Sequence, residues 1–351
     1  MNDEFRIIKN AITVILGAGA SYDLVPGNQS GQVVNDNDFR PPLTPSLFKM
    51  SRNLEKYLTY YPKAYTAIGT LRNLLHKGDK SLETLLKDLK ESNEVIKIQE
   101  FRQIPFYLQH LFLMISQNYC FHPVNYTTLI SETLRKSVDA IAYVTLNYDL
   151  FIEKALESIV GFDFSNIESY VPHDQKWMFI KLHGSANWGR KLKKIYNPGE
   201  KLEAILDNIG QMNPDNDLSD RIEVIPNLPA FSLSGLKAYF PSITVPVDNK
   251  YEFNCQKEHL IKLESLLRIS KKILIIGISG KDQDLLDLLS KNLTNIKLVT
   301  IVGGGKANEI KERLKAGVPQ FNSGTVAWKI YNEGFSEFIK SGGIDAFLDF
   351  E

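Results

Sequence analysis

Short apolar runs alternate with amphipathic segments along most of the chain outside residues 46–136. The runs at Ala140–Leu146 and Ile273–Ile278 are rich in β-branched residues, and helical spacing of apolar positions follows each of them. Buried strands that alternate with helices are typical of a parallel sheet covered on both faces. We therefore predict an α/β fold with a Rossmann-like parallel sheet and helices on both faces. Further strands are predicted at Ile12–Leu16, Phe179–Leu182, Lys297–Val302 and Thr325–Tyr331, with helices at 256–269, 283–292 and from Ala307.

The pattern changes between the first strand and Ala140. Residues 46–136 contain few glycines, and Leu82, Leu85, Leu86 and Leu89 repeat at the spacing of one helix face. We interpret 46–136 as an inserted all-helical subdomain, and residues 1–45 with 137–351 as the Rossmann domain. The proline-rich segment 190–250 is expected to be irregular.

Charge and cysteine content narrow the function classes. The 41 basic and 41 acidic residues cancel, which argues against a polycation that binds nucleic acid through its phosphates. The two cysteines, Cys120 and Cys255, lie far apart, which excludes a disulfide scaffold and a cysteine-rich zinc module. No apolar run reaches the roughly 18 residues of a membrane span. We expect a cytoplasmic protein with no membrane association and no direct binding of nucleic acid.

The first candidate site is the loop Gly17-Ala18-Gly19-Ala20-Ser21, directly after the first strand. Glycines at this point let backbone amides approach a pyrophosphate. The dehydrogenase fingerprint is incomplete, because Tyr22 stands where its third glycine belongs and no ribose-binding acid follows about 20 residues later. Phosphate binding and a tight turn of small residues both remain open from this loop alone.

Two further strand ends carry polar residues. Asn147, in Thr145-Leu146-Asn147-Tyr148-Asp149, offers a donor and an acceptor suited to ribose hydroxyls or an attacking water, while helix capping is the structural alternative. His183, in Lys181-Leu182-His183-Gly184-Ser185, is suited to act as a general base or to hold a ribose, and its alternative is a structural histidine.

Small residues also end two later strands, at Gly277-Ile278-Ser279 and at Gly303-Gly304-Gly305-Lys306. The second segment is similar to a P-loop only superficially, because Thr300 and Ala307 occupy positions that require glycine and Ser or Thr. An NTPase is therefore disfavoured, and an adenosine-lining loop or a simple turn remains.

The order of these motifs is more specific than any one of them. A GAGAS loop, a T-x-N-Y-D strand end, a K-L-H-G-S strand end and a G-x-S strand end follow one another along the chain. This series resembles the sirtuin-like NAD-binding superfamily. Two segments, Arg40-Pro41-Pro42-Leu43-Thr44 and Pro241–Pro246, support the resemblance, which covers about 1–45 and 137–345.

Three departures indicate the bacterial, zinc-free branch of that superfamily. Protein-deacylating sirtuins carry four zinc-binding cysteines, a glutamine where this chain has Leu146, and an F-G-E peptide-docking strand that is not found between 190 and 250. The resemblance to the zinc-free branch implies an NAD⁺ glycohydrolase that depletes NAD⁺ during bacteriophage infection. The alternatives are an NAD-dependent deacylase or ADP-ribosyltransferase, and a non-catalytic sensor of NAD or ADP-ribose.

The resemblance also implies roles for individual residues. Asn147 would position water and the ribose, His183 would contact ribose hydroxyls and serve as base, and Asp149 would orient this pair. NAD⁺ would be the substrate, with no metal. The expected partners are further copies of the chain or a defence-system protein, such as an ATPase or an argonaute-like protein. The residues expected to bind NAD are Gly17, Ala18, Gly19, Ala20 and Ser21 at the pyrophosphate, Gly277, Ser279 and Gly303 around adenosine, Arg40 at phosphate or ribose, and Thr145, Tyr148 and Gly184 beside the catalytic residues.

Overall fold

The computed structural model describes residues 8, 10–24, 39–50, 52–119, 123–194, 202–212, 214–225, 238–247 and 253–350. Its strands are β1 (Ala11–Leu16), β2 (Ala140–Thr145), β3 (Trp177–Lys181), β4 (Gly184–Leu192), β5 (Leu218–Val224), β6 (Tyr239–Ile243), β7 (Ser270–Ile276), β8 (Leu298–Val302) and β9 (Ala327–Tyr331). Its helices are α1 (Ala18–Tyr22), α2 (Arg52–Leu58), α3 (Pro62–Lys77), α4 (Leu82–Lys90), α5 (Val95–Asn118), α6 (Val124–Arg135), α7 (Phe151–Val160), α8 (Leu202–Gln211), α9 (Pro214–Asp217), α10 (Lys257–Ile269), α11 (Gln283–Asn292), α12 (Ala307–Gly317), α13 (Gly334–Lys340) and α14 (Gly343–Leu348).

Six of the strands form a parallel sheet in the order β3-β2-β1-β7-β8-β9. The chain runs outward from β1 to β3, returns to the other side of β1 at β7, and then continues outward to β9. The reversal places a topological switch point between β1 and β7, where α/β sheets of this kind bind ligands at the carboxyl ends of the strands. The predicted α/β fold of the Rossmann type is confirmed.

The strands form where the sequence is continuously apolar and β-branched. All residues of β1, β2 and β8 are buried, as expected for strands covered on both faces. Local signals set the helix ends: Asp282 caps the start of α11, and α7 ends at Gly161 with a left-handed φ of 63°. The predicted strands appear with boundary shifts of up to three residues.

The segment 190–250, which we expected to be irregular, contains most of a second sheet. This antiparallel sheet has the order β5-β4-β6, and Pro241 lies in the edge strand β6 opposite Gly189. An edge strand tolerates a proline because one side of it needs no ladder partner. The prolines in this segment therefore led us to predict irregular structure where partly buried strands form a sheet.

The helical segment packs in two directions. Helix α5 lies on β4 and β6, where the rings of Phe106 and Phe240 meet edge to face at 5.1 Å and Gln109 Nε2 donates to the carbonyl oxygen of Trp188 at 2.8 Å. Helix α6 packs instead on α7, α13 and α14, beside the six-stranded sheet. The division into a Rossmann domain and a helical insertion at 46–136 stays a proposal.

Candidate active site at the switch point

The candidate site lies at the carboxyl ends of β3, β2, β1 and β7. The register pairs Leu16 with Thr145 and with Ile276, and Thr145 with Lys181, so four strands end at the same level. The residues after these ends therefore share one edge of the sheet. Asn147 follows β2 and His183 follows β3, in the two positions that the sequence analysis singled out.

Asn147 is held rigidly against the loop that follows β1. Its Nδ2 donates to the carbonyl oxygen of Gly17 at 3.0 Å and to Ser21 Oγ at 2.9 Å, and its backbone N–H donates to Thr145 Oγ1 at 3.1 Å. The residue is 6% exposed. Since both amide hydrogens are used for support, the carboxamide oxygen is the group left to accept a hydrogen bond from a water or a ribose hydroxyl.

A buried polar network lies behind Asn147. Ser21 Oγ is 2.8 Å from the hydroxyl of Tyr126, and burial raises the pKa of this phenol well above its usual value. Burial also raises the pKa of the Asp149 carboxyl, whose Oδ1 accepts from the backbone N–H of Phe151 at 3.3 Å. Asp149 thus accepts a hydrogen bond from the first amide of α7, and its side chain is also hydrogen-bonded to Ser21. It lies on the Asn147 side of the site.

An ion pair ties β3 to α7 beneath this network. Lys181 Nζ lies 2.8 Å from Glu153 Oε1 and donates to the carbonyl oxygen of Asp149 at 2.6 Å, with the Lys181 and Glu153 side chains 0% and 4% exposed. The hydroxyl of Tyr170 donates to the same Glu153 oxygen at 3.1 Å. Through Lys181, the pair links the segment that carries His183 to the segment that carries Asn147.

His183 has a carboxylate neighbour that the sequence analysis did not include in the site. Its Nε2 lies 3.0 Å from Asp282 Oδ2, within the distance of an ion pair. The side chains are 7% and 18% exposed. The available signal was an acidic residue three positions after Ser279 of the G-x-S strand end, which a helix cap explains equally well.

The glycines of the first loop serve close packing. A Cβ on Gly17 would lie 2.6 Å from the carbonyl oxygen of Gly277, and one on Gly277 would lie 2.1 Å from the amide nitrogen of Ala20. The amides of Gly17, Gly19 and Ala20 all donate to backbone oxygens of the protein. These three amides therefore serve the turn itself, and a phosphate contact by this loop would use other groups such as the Ala18 amide.

Three residues predicted to bind NAD, Thr145, Tyr148 and Gly184, make structural contacts beside Asn147 and His183. Thr145 Oγ1 donates to the carbonyl oxygen of Leu16 at 3.1 Å, and the Tyr148 hydroxyl donates to that of Thr244 at 2.6 Å. Gly184 adopts a φ of 80°, and a Cβ there would lie 1.9 Å from the carbonyl oxygen of Ser242. These residues lie beside Asn147 and His183 along the chain and are held by contacts within the protein.

The remaining predicted residues surround the same edge. Ser279 follows β7 and is exposed, and Gly303 follows β8 with its amide donating to the carbonyl oxygen of Tyr331 at 2.9 Å. The Arg40 guanidinium stacks on the Tyr22 ring at 4.5 Å, next to α1, and its buried Nε has no hydrogen-bond partner among the described residues.

Among the described residues, no group of three or more His, Cys, Asp or Glu side chains is arranged to hold a metal ion. A cleft of about 900 Å³ lies at the opposite edge of the sheet, lined by residues that include Lys271, Lys297 and Thr325. The polar side chains named above converge at the switch point, so the candidate site and the cleft lie at opposite edges of the sheet.

No helix in the described ranges combines the length and the apolar character that a bilayer crossing requires.

Known proteins relate to the chain as follows. A family model described as a SIR2-like domain matches residues 141–316, half of the chain. Among solved structures, a Sir2 homolog–NAD complex is 13% identical with a TM-score of 0.40, and 96% of this chain and 90% of that chain are covered. Sir2Tm bound to a propionylated peptide is 12% identical with a TM-score of 0.38, covering 96% and 94%. No curated protein matches the sequence.

Proposed function

Because the chain belongs to the SIR2-like family, we propose that it is an NAD⁺ glycohydrolase, which cleaves NAD⁺ to nicotinamide and ADP-ribose. One observation carries the proposal: Asn147 and His183 follow adjacent strands at the switch-point edge, and both are buried and held in place. A carboxamide oxygen and an imidazole at one strand edge are suited to orient and deprotonate a water.

The proposed reaction breaks the bond between the nicotinamide nitrogen and C1′ of its ribose. The bonding electrons return to the nicotinamide ring, which loses its positive charge, so departure needs no strong acid. The ribosyl carbon passes through an oxocarbenium-like state, as in glycoside hydrolysis. A water oxygen then bonds to C1′, and its proton passes to His183 and on to solvent.

The chain's residues divide this work between them. Asn147 Oδ1 accepts a hydrogen bond from the water or a ribose hydroxyl, and His183 takes the proton. Asp149 supports Asn147 through Ser21, since both hold one buried network. Arg40, stacked beside α1, would meet a phosphate, and the strand ends at Ser279 and Gly303 would surround the adenosine.

Nicotinamide release from NAD⁺ tests the proposal. We expect the chain, assayed with its assembly partner or trigger where one is required, to release nicotinamide and ADP-ribose in equal amounts, resolved by chromatography. We expect Asn147→Ala and His183→Ala each to lower the rate on the order of 100-fold or more, because the first loses the group that positions the water and the second loses the general base.

Matched variants keep the test specific. Asn295→Ala and His173→Ala change the same residue types at exposed positions away from the site, and both should release nicotinamide at the normal rate. Circular dichroism confirms folding of all four variants. Unchanged turnover in Asn147→Ala and His183→Ala would exclude these residues from the mechanism, and O-acyl-ADP-ribose formed from an acylated peptide would indicate a deacylase instead.

We further propose, from the resemblance to zinc-free bacterial sirtuin-like proteins, that the activity depletes NAD⁺ during bacteriophage infection. Infected cells that express the intact chain should lose NAD⁺, and cells that express Asn147→Ala should keep it. An equal NAD⁺ content in both infected cultures would contradict this role.

A further inference from the structure

Asp282 reaches His183 from the far side of the switch point. His183 follows β3 and Asp282 precedes α11 after β7, and the ends of β2 and β1 lie between them in the sheet. Three strand spacings separate β3 from β7, about 14 Å along the sheet edge. The 3.0 Å contact between His183 Nε2 and Asp282 Oδ2 therefore crosses the edge where the candidate site lies.

The carboxylate of Asp282 is fixed by the helix that it caps. Its Oδ1 accepts from the backbone N–H of Leu285 at 3.0 Å, which leaves Oδ2 turned toward His183. The negative charge stands at the amino end of α11, a ten-residue helix, where the helix dipole stabilises anions. Asp282 therefore presents Oδ2 to His183 at a defined position.

The imidazole is fixed from the other side. The amide of Thr244 donates to the carbonyl oxygen of His183 at 2.9 Å, and the amide of Leu182 donates to that of Thr145 at 3.0 Å. Gly184 brings the chain so close to Ser242 that no side chain would fit there. The backbone on both sides of His183 is thus held, and its side chain, 7% exposed, is buried beside Asp282.

The other charged and ionisable groups near His183 and Asp282 make contacts elsewhere, so Asp282 is the carboxylate that faces the His183 ring. Burial raises the pKa of Tyr148, and the charge of Asp282 raises it further, so this phenol stays neutral. Lys181 on β3 directs its ammonium group to Glu153 and to the carbonyl oxygen of Asp149. Asp149 itself lies with Ser21 and the start of α7.

We propose that Asp282 is the positioning residue of His183, holding the imidazole over the switch point and stabilising the positive charge that the ring acquires. This inference rests on the proposed hydrolysis, in which His183 takes the proton of the attacking water. A carboxylate beside a histidine base orients the ring and stabilises the imidazolium, and it is not itself protonated. Asp282 acts through His183 and need not touch the substrate.

Asp282→Asn is the informative variant, because asparagine caps a helix as well as aspartate does and removes only the charge. We expect kcat for nicotinamide release to fall about tenfold to a hundredfold, since the base loses part of its catalytic contribution. KM should change less than about threefold, because substrate binding does not use Asp282. Asp287→Asn, which removes an exposed charge from the same helix, should match the unaltered chain.

A second readout does not depend on turnover. The chain has six histidines, so the NMR spectrum of histidine-labelled protein is simple. The signal that is missing in His183→Gln belongs to His183. We expect His183 to lose its proton at lower pH in Asp282→Asn than in the unaltered chain, because the carboxylate favours the protonated ring. Asp287→Asn should leave that signal unchanged.

The two readouts separate failure of the inference from failure of the proposed function. If the chain hydrolyses no NAD⁺ but the His183 signal responds to Asp282→Asn, the contact stands and hydrolysis fails. An unaltered His183 titration in Asp282→Asn overturns the proposal. So does equal or faster nicotinamide release by this variant, and faster release would make the contact a latch that substrate must open.

Discussion

Three glycines hold the loops after β1 and β7 together at the switch point. The amide of Gly19 donates to the carbonyl oxygen of Gly277 at 2.9 Å, and the amide of Gly17 donates to that of Ile276 at 2.9 Å. Contacts this close between two backbones leave no room for a Cβ. At the scale of single residues, these glycines thus allow the close packing of the two loops, one of which accepts the hydrogen bond of Asn147 at Gly17.

Gly277→Ala should destabilise the fold strongly. The added Cβ would lie 2.1 Å from the amide nitrogen of Ala20, and the φ of 68° is unfavourable for alanine. We expect the free energy of unfolding to fall by about 3 kcal/mol, from overpacking and backbone strain together, in a urea titration. Gly304→Ala has open space around the added atom and serves as control. Equal stability of both variants would show that the two loops can separate at little cost.

Single residues also show where sequence reasoning ends. The meeting of Asn147 and His183 at one sheet edge could be predicted, because both follow strand ends and parallel strands gather their carboxyl ends at one edge. Asp282 could not be selected, because an acidic residue before a helix is already explained as a cap. The approach of α11 to β3 depends on the order of strands in the sheet, which local pattern does not determine.

At the scale of elements, the strands of the six-stranded sheet were predictable and those of the second sheet were not. Strands buried on both faces are apolar throughout, as in β8 (Leu298–Val302). Strand β4 (Gly184–Leu192) mixes glycine, arginine and lysine with Trp188, and Pro241 lies in β6. Their stability comes from packing under α5, a tertiary contact without a local sequence signal.

The join between β3 and α7 can be tested through its buried ion pair. Lys181→Met removes one partner and leaves Glu153 charged and buried, so we expect a loss of about 3 kcal/mol of unfolding free energy in a chemical denaturation. The double variant Lys181→Met with Glu153→Leu should recover part of that loss, because no unpaired charge remains.

An exposed pair supplies the comparison for this join. Lys80 and Asp88 lie 2.7 Å apart with side chains 51% and 53% exposed, and Lys80→Met should cost less than about 1 kcal/mol. If Lys181→Met were as mild as Lys80→Met, the buried pair would not tie the two segments together.

At the scale of the whole molecule, stability should depend on pH through the buried His259 and the half-buried His110. Burial lowers the pKa of His259 to about 4, and that of His110 likewise to about 4. The unfolded chain takes up these protons near pH 6.5, whereas the folded chain does so only near pH 4. Protonation therefore favours the unfolded state, and stability should fall as the pH is lowered from 7 to 4.

His259→Gln tests this dependence. The variant should lose less stability between pH 7 and pH 4 than the unaltered chain, by up to about 3 kcal/mol, in urea titrations at several pH values. His173→Gln, at an exposed position, should leave the slope unchanged. Parallel slopes for His259→Gln and the unaltered chain would mean that His259 is not held neutral by its surroundings in the folded chain.

The whole account depends on where a dinucleotide binds, and a crystal structure of the chain with ADP-ribose measures this directly. We predict the ribose beside the carboxamide of Asn147 and the imidazole of His183, with the remainder of the ligand across the ends of β1 and β7. Density for ADP-ribose in the cleft at the opposite edge, beside Lys271 and Lys297, would contradict the account.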